Sequence, residues 1–93
     1  MLQGVRFEFD PEKSKRAKAD PNRQIDFVEA QQIWNDPEHV EVPLPFTAET
    51  RWAVIGEMRG RIWTAVIAKR GDAIRIISVR RAHKKEEAIY EQI

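Results

Sequence analysis

The stretch Arg75-Ile76-Ile77-Ser78-Val79-Arg80-Arg81-Ala82-His83-Lys84-Lys85-Glu86-Glu87-Ala88-Ile89-Tyr90 gathers most of the residues in this chain that could do chemistry. An apolar run is interrupted by Arg75 and passes straight into Arg80 and Arg81. Placing a guanidinium near a core costs on the order of several kcal/mol unless it is paired or serves an anionic ligand. At helical spacing His83, Glu87 and Tyr90 share one edge, and Lys84, Glu87 and Glu91 share the outer face. Strand alternation puts Arg75 with Arg81 on one face and Ser78 with Arg80 on the other. Only a β-bulge or a strand end would bring all four to one surface. Trp52, Trp63 and Tyr90 are interleaved with this basic segment, and such rings can stack nucleic-acid bases. Core packing is the competing use of the two tryptophans.

The net charge of +1 conceals an asymmetry. Residues 1–50 hold 6 Lys and Arg against 10 Asp and Glu, whereas residues 51–85 hold 10 Lys and Arg against Glu57 and Asp72. A basic segment folded into one surface attracts polyanions; the plainer alternative is that charged strand ends solvate a small sheet. With 93 residues the chain forms one domain. The lack of cysteine excludes a disulfide scaffold, a thiol nucleophile and thiolate metal sites. No phosphate-cradling glycine loop, H-E-x-x-H pair or G-x-S-x-G elbow occurs, and His39 and His83 lack metal-ligand spacing with any carboxylates. No carboxylate pair is marked out for sugar hydrolysis. No apolar run approaches the ~18 residues of a membrane span, and Met1-Leu2-Gln3-Gly4-Val5-Arg6 is no secretory leader. The expectation is a soluble, cytoplasmic domain.

The elements that must position these residues follow from periodicity. Val5 to Phe9 alternates as a half-buried strand. Asp10-Pro11-Glu12 starts a helix that ends at Asp20-Pro21. Asp26 and Glu29 have capping-box spacing, with Phe27, Ala30, Ile33 and Trp34 on one stripe of a second helix that stops at Asn35-Asp36-Pro37. His39 to Val42 reads as a short strand, followed by a loop through Pro43, Pro45 and Thr47. Arg51 to Met58 and Arg61 to Lys69 form a hairpin about Arg59-Gly60. After a turn at Arg70-Gly71-Asp72, Ala73 to Val79 is a strand apolar on both faces, hence central. A last helix from about Ala82 to Gln92 is expected to bury Ala82, Ile89 and Ile93. The order β-α-α-β-β-β-β-α predicts an α+β domain with an antiparallel sheet, two helices in the N-terminal half and one at the C-terminus.

Asp10 with Phe7-Glu8-Phe9, Phe27-x-x-Ala30, Asp36-Pro37, Arg51-Trp52-x-x-Ile55-Gly56, Gly60-Arg61 and Arg75-Ile76-Ile77-Ser78-x-Arg80-x-Ala82, with Glu87 and Tyr90, together resemble the BrnT family. The resemblance runs in order over nearly the whole chain. It implies a RelE-like fold and the toxin of a bacterial toxin–antitoxin module. Such a toxin cleaves RNA without a metal or cofactor, inhibits translation, and is neutralised by a BrnA-like ribbon-helix-helix antitoxin that contacts operator DNA. It also places the site at the strand-to-helix junction. Cleavage by the substrate's own 2′-hydroxyl needs a base, an acid and cations for the transition state. On that expectation Arg75 and Arg80 hold the scissile phosphate, and Lys84 or Tyr90 serves proton transfer or the transition state. Glu87 orients them or acts as base. Arg51, Arg61, Lys69, Arg70, Ser78 and Arg81 follow the RNA backbone. One departure stands out: family members carry Lys-His-Gly shortly before the Phe-x-x-Ala helix, where this chain has Pro21-Asn22-Arg23-Gln24-Ile25. The alternative expectation is therefore a weakened toxin that binds an antitoxin without cutting RNA.

Overall fold

A computed structural model describes residues 5–45 and 48–92. The chain runs β1 (Arg6–Phe9), α1 (Pro11–Ala19), a 3-10 helix (Glu29–Asn35), β2 (Val40–Leu44), β3 (Arg51–Met58), β4 (Arg61–Arg70), β5 (Ala73–Arg81) and α2 (Lys84–Glu91). The strands form one sheet in the order β1-β5-β4-β3-β2. The expected residues at Thr47 and Ile93 lie outside the described part, as do residues 1–4. Among the described residues no helix is long and apolar enough to cross a membrane.

Local chemistry accounts for most of the boundaries. The Asp10 carboxylate accepts from the Glu12 N–H at 2.9 Å, and Pro11 opens α1. The spacing of Asp26 and Glu29 makes a reciprocal capping box: the Glu29 N–H donates to Asp26 at 2.7 Å, and the Asp26 N–H donates to Glu29 at 3.0 Å. The β3–β4 turn sets Arg59 at φ 55° and Gly60 at φ 77°, the positive angles a two-residue I′ hairpin demands.

Four expectations need correction. The sheet is mixed rather than antiparallel, because β1 pairs parallel to β5, Phe7 beside Ile74 and Phe9 beside Ile76. A parallel pair needs a long crossover, and everything from α1 to β4 supplies it. The second helix is 3-10 rather than α and begins at Glu29, one turn after the capping Asp26. β2 continues through Pro43 to Leu44, which an edge strand tolerates because an N–H on its free side needs no partner. Finally, α2 has no buried residue: Ala82 precedes it and Ile89 is exposed.

The core lies between one sheet face and the helical layer. Phe27, Ala30, Ile33 and Trp34 from the 3-10 region meet Val54, Met58, Trp63, Ala65, Ile67, Ile76 and Val79. Phe7 stacks edge-on to Trp34 at 5.0 Å, and Phe9 to Phe27 at 5.9 Å. Each large side chain so buried contributes roughly 1.5–3 kcal/mol. Trp63 is buried, and its indole N–H donates to the Met58 carbonyl at 3.1 Å, whereas Trp52 packs at the edge of the core beneath Lys69.

Candidate functional site

The register of β5 decides which of its arginines share a surface. Val66 pairs with Ser78 while the next β4 residue, Ile67, pairs with Ile76, leaving Ile77 as an extra residue. This bulge reverses the alternation, and cross-strand partners lie on the same face. Ile74, Ile76, Val79 and Arg81 therefore sit on the core side, with Arg81 opposite Trp63. Arg75, Ser78 and Arg80 share the other side, with Arg75 opposite Ala68 toward the β4–β5 turn and Arg80 opposite Thr64 toward α2. The four residues do not form one cluster, because Arg81 is turned away from the other three.

Arg80 is already paired. Its guanidinium grips both Glu86 carboxylate oxygens, at 2.7 and 2.8 Å, and donates to the Arg81 carbonyl at 3.3 Å. Glu86 also accepts from the His83 N–H at 2.8 Å, which begins α2. Burial works to raise the Glu86 pKa, but the hydrogen bonds from Arg80 and the His83 N–H outweigh it and hold the group at about 2. The buried Thr64 hydroxyl adds to this from beside Glu86 without reaching hydrogen-bond geometry of its own. Arg75 is half-buried and forms no ion pair among the described residues.

The other expected residues separate into two ends of the sheet. Tyr90 donates its hydroxyl proton to Asp36 at 2.6 Å, a bond that raises the phenol pKa and ties α2 to the end of the 3-10 helix. That geometry makes Tyr90 a tether rather than a partner of the arginines. Lys84 is exposed at the first position of α2. Arg51 lies 3.6 Å from Glu49, and Lys69 bonds Glu41 at 2.6 Å while its ammonium sits 4.3 Å from the Trp52 ring centre. Arg70 is exposed beside the β4–β5 turn. These last three belong to the end of the sheet away from α2.

At the opposite end, Arg61 and Arg81 line a set of adjoining grooves. One, of about 470 Å³, is bounded by Asn22, Arg23, Arg80, Arg81, Ala82 and His83. A second, of about 270 Å³, runs along the 21–25 segment past Arg59, Arg61, Trp63 and Arg81. A third, of about 290 Å³, joins Arg61 and Arg81 to Glu87. Arg81 borders all three. The turn after α1 builds the facing wall: the Arg23 and Gln24 N–H groups donate to the Asp20 carbonyl, and Gln24 adopts φ 57°. Arg23 is held by Asp20 at 2.9 Å and reaches the Val79 carbonyl at 3.5 Å. The segment Pro21 to Ile25 is thus a wall of this groove.

Charge within the grooves is unevenly spent. Arg23 is matched by Asp20, Arg80 by Glu86 and Arg59 by Glu29. Arg61 and Arg81 make no ion pair among the described residues. Two unmatched guanidiniums beside a concave surface are suited to phosphate oxygens, since their planar forks stay charged. The expected site residues left out Arg23, Arg59, His83 and Glu86, although helical spacing set His83 on one edge with Glu87 and Tyr90. The spacing of His83 and Glu86, three residues apart at a helix start, was the available signal for Glu86.

The ion pairs carry a pH prediction. The N–H of Asp26, with Lys18 and Arg59, lowers Glu29 from 4.5 to about 2, and Glu86 lies at about 2 for the reasons above. A carboxylate depressed in the folded state adds stability above its unfolded pKa and loses it as pH falls toward the folded value. The urea midpoint is expected to hold down to about pH 5 and then fall steadily toward pH 2. A midpoint flat over that range would mean the two pairs contribute nothing.

A family model described as the ribonuclease toxin, BrnT, of a type II toxin–antitoxin system matches residues 9–86. No curated protein matches the chain.

Proposed function

The chain belongs to the BrnT family of ribonuclease toxins of type II toxin–antitoxin systems, and from that premise we propose that it cuts RNA in the groove bordered by Arg81. The observation that carries this reading is the unmatched pair Arg61 and Arg81, beside a wall built from residues 21–25. RNA contains its own nucleophile. When the 2′-oxygen attacks phosphorus, the bond to the 5′-oxygen breaks, leaving a 2′,3′-cyclic phosphate and a 5′-hydroxyl. The protein must then supply proton transfer and positive charge for the crowded phosphorane. Arg81 and Arg61 are suited to the charge, with Arg80 and Arg23 as fixed walls. Lys84 and Glu87 flank this region as candidates for proton transfer, whereas Arg75, on the opposite sheet face beside Ala68, is a candidate for strand binding alone. No metal enters this scheme.

A type II toxin has an antitoxin partner, and we take it to be a BrnA-like ribbon-helix-helix protein that reaches operator DNA, in the cytoplasm. Acidic residues of that partner would satisfy Arg61 and Arg81 and occlude the groove. The test is to purify the chain free of antitoxin and incubate it with RNA in EDTA. Cleavage is expected, ending in cyclic phosphates, and an RNA with 2′-deoxyribose at the cut site is expected to survive. RNA left intact by the antitoxin-free chain, in a protein that still binds antitoxin when it is added back, would favour the second reading, a BrnT-like protein that binds without cutting, motivated by the absence of histidine from residues 21–25.

A further inference from the structure

Resting on the cleavage reading above, we propose that His83 is the general base that activates the ribose 2′-hydroxyl. Its imidazole is exposed on the largest of the grooves, between Arg80 and Arg81 of β5 and across from Asn22 and Arg23. Its backbone is fixed on both sides: the N–H donates to Glu86 at 2.8 Å, and the carbonyl accepts from the Glu87 N–H at 2.9 Å. The side chain stands at the capping-box position of α2, toward the Glu86 N–H, on a rigid helix start that borders the groove.

Elimination strengthens the assignment. Glu86 spends both oxygens on Arg80, and Asp20 spends its own on Arg23 and the Asn22 N–H. Tyr90 gives its proton to Asp36. Arginine and lysine offer no acceptor while charged. Of the side chains bordering this groove, only the imidazole has a ring nitrogen that can take up a proton and return it. The charged groups facing it are Arg23, backed by Asp20, from the turn after α1; Arg80 and Arg81 from β5; and Lys84, Glu86 and Glu87 from α2. The cationic majority holds the phosphate while His83 stands at its side. In the step, His83 takes the 2′-hydroxyl proton as the 2′-oxygen bonds to phosphorus. The bond to the 5′-oxygen breaks, that oxygen takes a proton from water, and His83 returns its proton to the hydroxide so formed.

The experiment compares the full chain with His83→Gln on a short RNA in EDTA between about pH 5 and 8, with Glu87→Gln as the rival base. The single-turnover rate of His83→Gln is expected to fall by about 10²–10⁴-fold, with RNA affinity unchanged and the rising limb of the pH profile lost. Added imidazole is expected to restore part of the rate to His83→Ala. A His83→Gln variant with the parental rate and pH profile overturns the proposal, most directly if Glu87→Gln loses both. A parent chain that leaves RNA intact overturns the cleavage reading itself, and this base with it.

Discussion

Arg81→Ala is expected to lower the rate of RNA cleavage by about 10²–10³-fold, the usual loss when one preorganised charge at a developing oxyanion is removed. Arg81 borders all three adjoining grooves and makes no ion pair among the described residues. Its side chain is exposed while its backbone stays in register opposite Trp63, so the fold does not depend on the guanidinium. Thermal melting should therefore stay put, which separates a lost contact from a lost structure. If Arg81 also holds a phosphate before the reaction, the salt dependence of RNA binding should flatten by about 0.7 in the log–log slope. A variant that cuts at the parental rate would remove Arg81 from the site.

Gly56→Ala is expected to destabilise the fold by about 1–3 kcal/mol, through overpacking rather than backbone strain. A methyl group there would lie 2.9 Å from Cγ2 of the fully buried Ile33, 3.0 Å from Cβ of His39 and 3.2 Å from the Ile33 carbonyl oxygen. None of these atoms is the far end of a flexible chain, so the 3-10 helix must move off β3. The melting temperature should drop by about 5–20 °C. Calorimetry decides it, and an unchanged transition would show that the 3-10 helix gives way freely. The shift would also disturb Asp36, which anchors Tyr90 and accepts the Glu57 N–H at 2.7 Å.

What the sequence revealed depended on how local the cause was. The Asp10-Pro11 start, the Asp26 and Glu29 capping box and the Arg59-Gly60 turn are decided within a few residues, and all were readable. The parallel pairing of β1 with β5 was not, because no periodicity within Arg6–Phe9 records which distant strand accepts it. The bulge at Ile77 was equally hidden: Val and Ile on both faces of β5 suit either register. It was nevertheless the condition on which a shared face for Arg75, Ser78 and Arg80 depended. At the candidate site, the crowding of arginine over residues 75–81 was legible, while its location at the strand-to-helix junction came from the family resemblance. The division of labour there was not, since Arg80 finds its partner in Glu86 only when α2 docks, and Arg23 arrives from a remote turn.

That remote origin governs when the protein becomes dangerous to the cell that makes it. Arg23 and the Val79 carbonyl it reaches are 56 positions apart in the chain, so a ribosome delivers one wall long before its counterpart. Until the final strand slots between its parallel and antiparallel neighbours, the first wall faces solvent and nothing can be gripped. Long-range pairing of this kind is slow to form. Cutting activity is therefore expected to appear only after that last strand has docked.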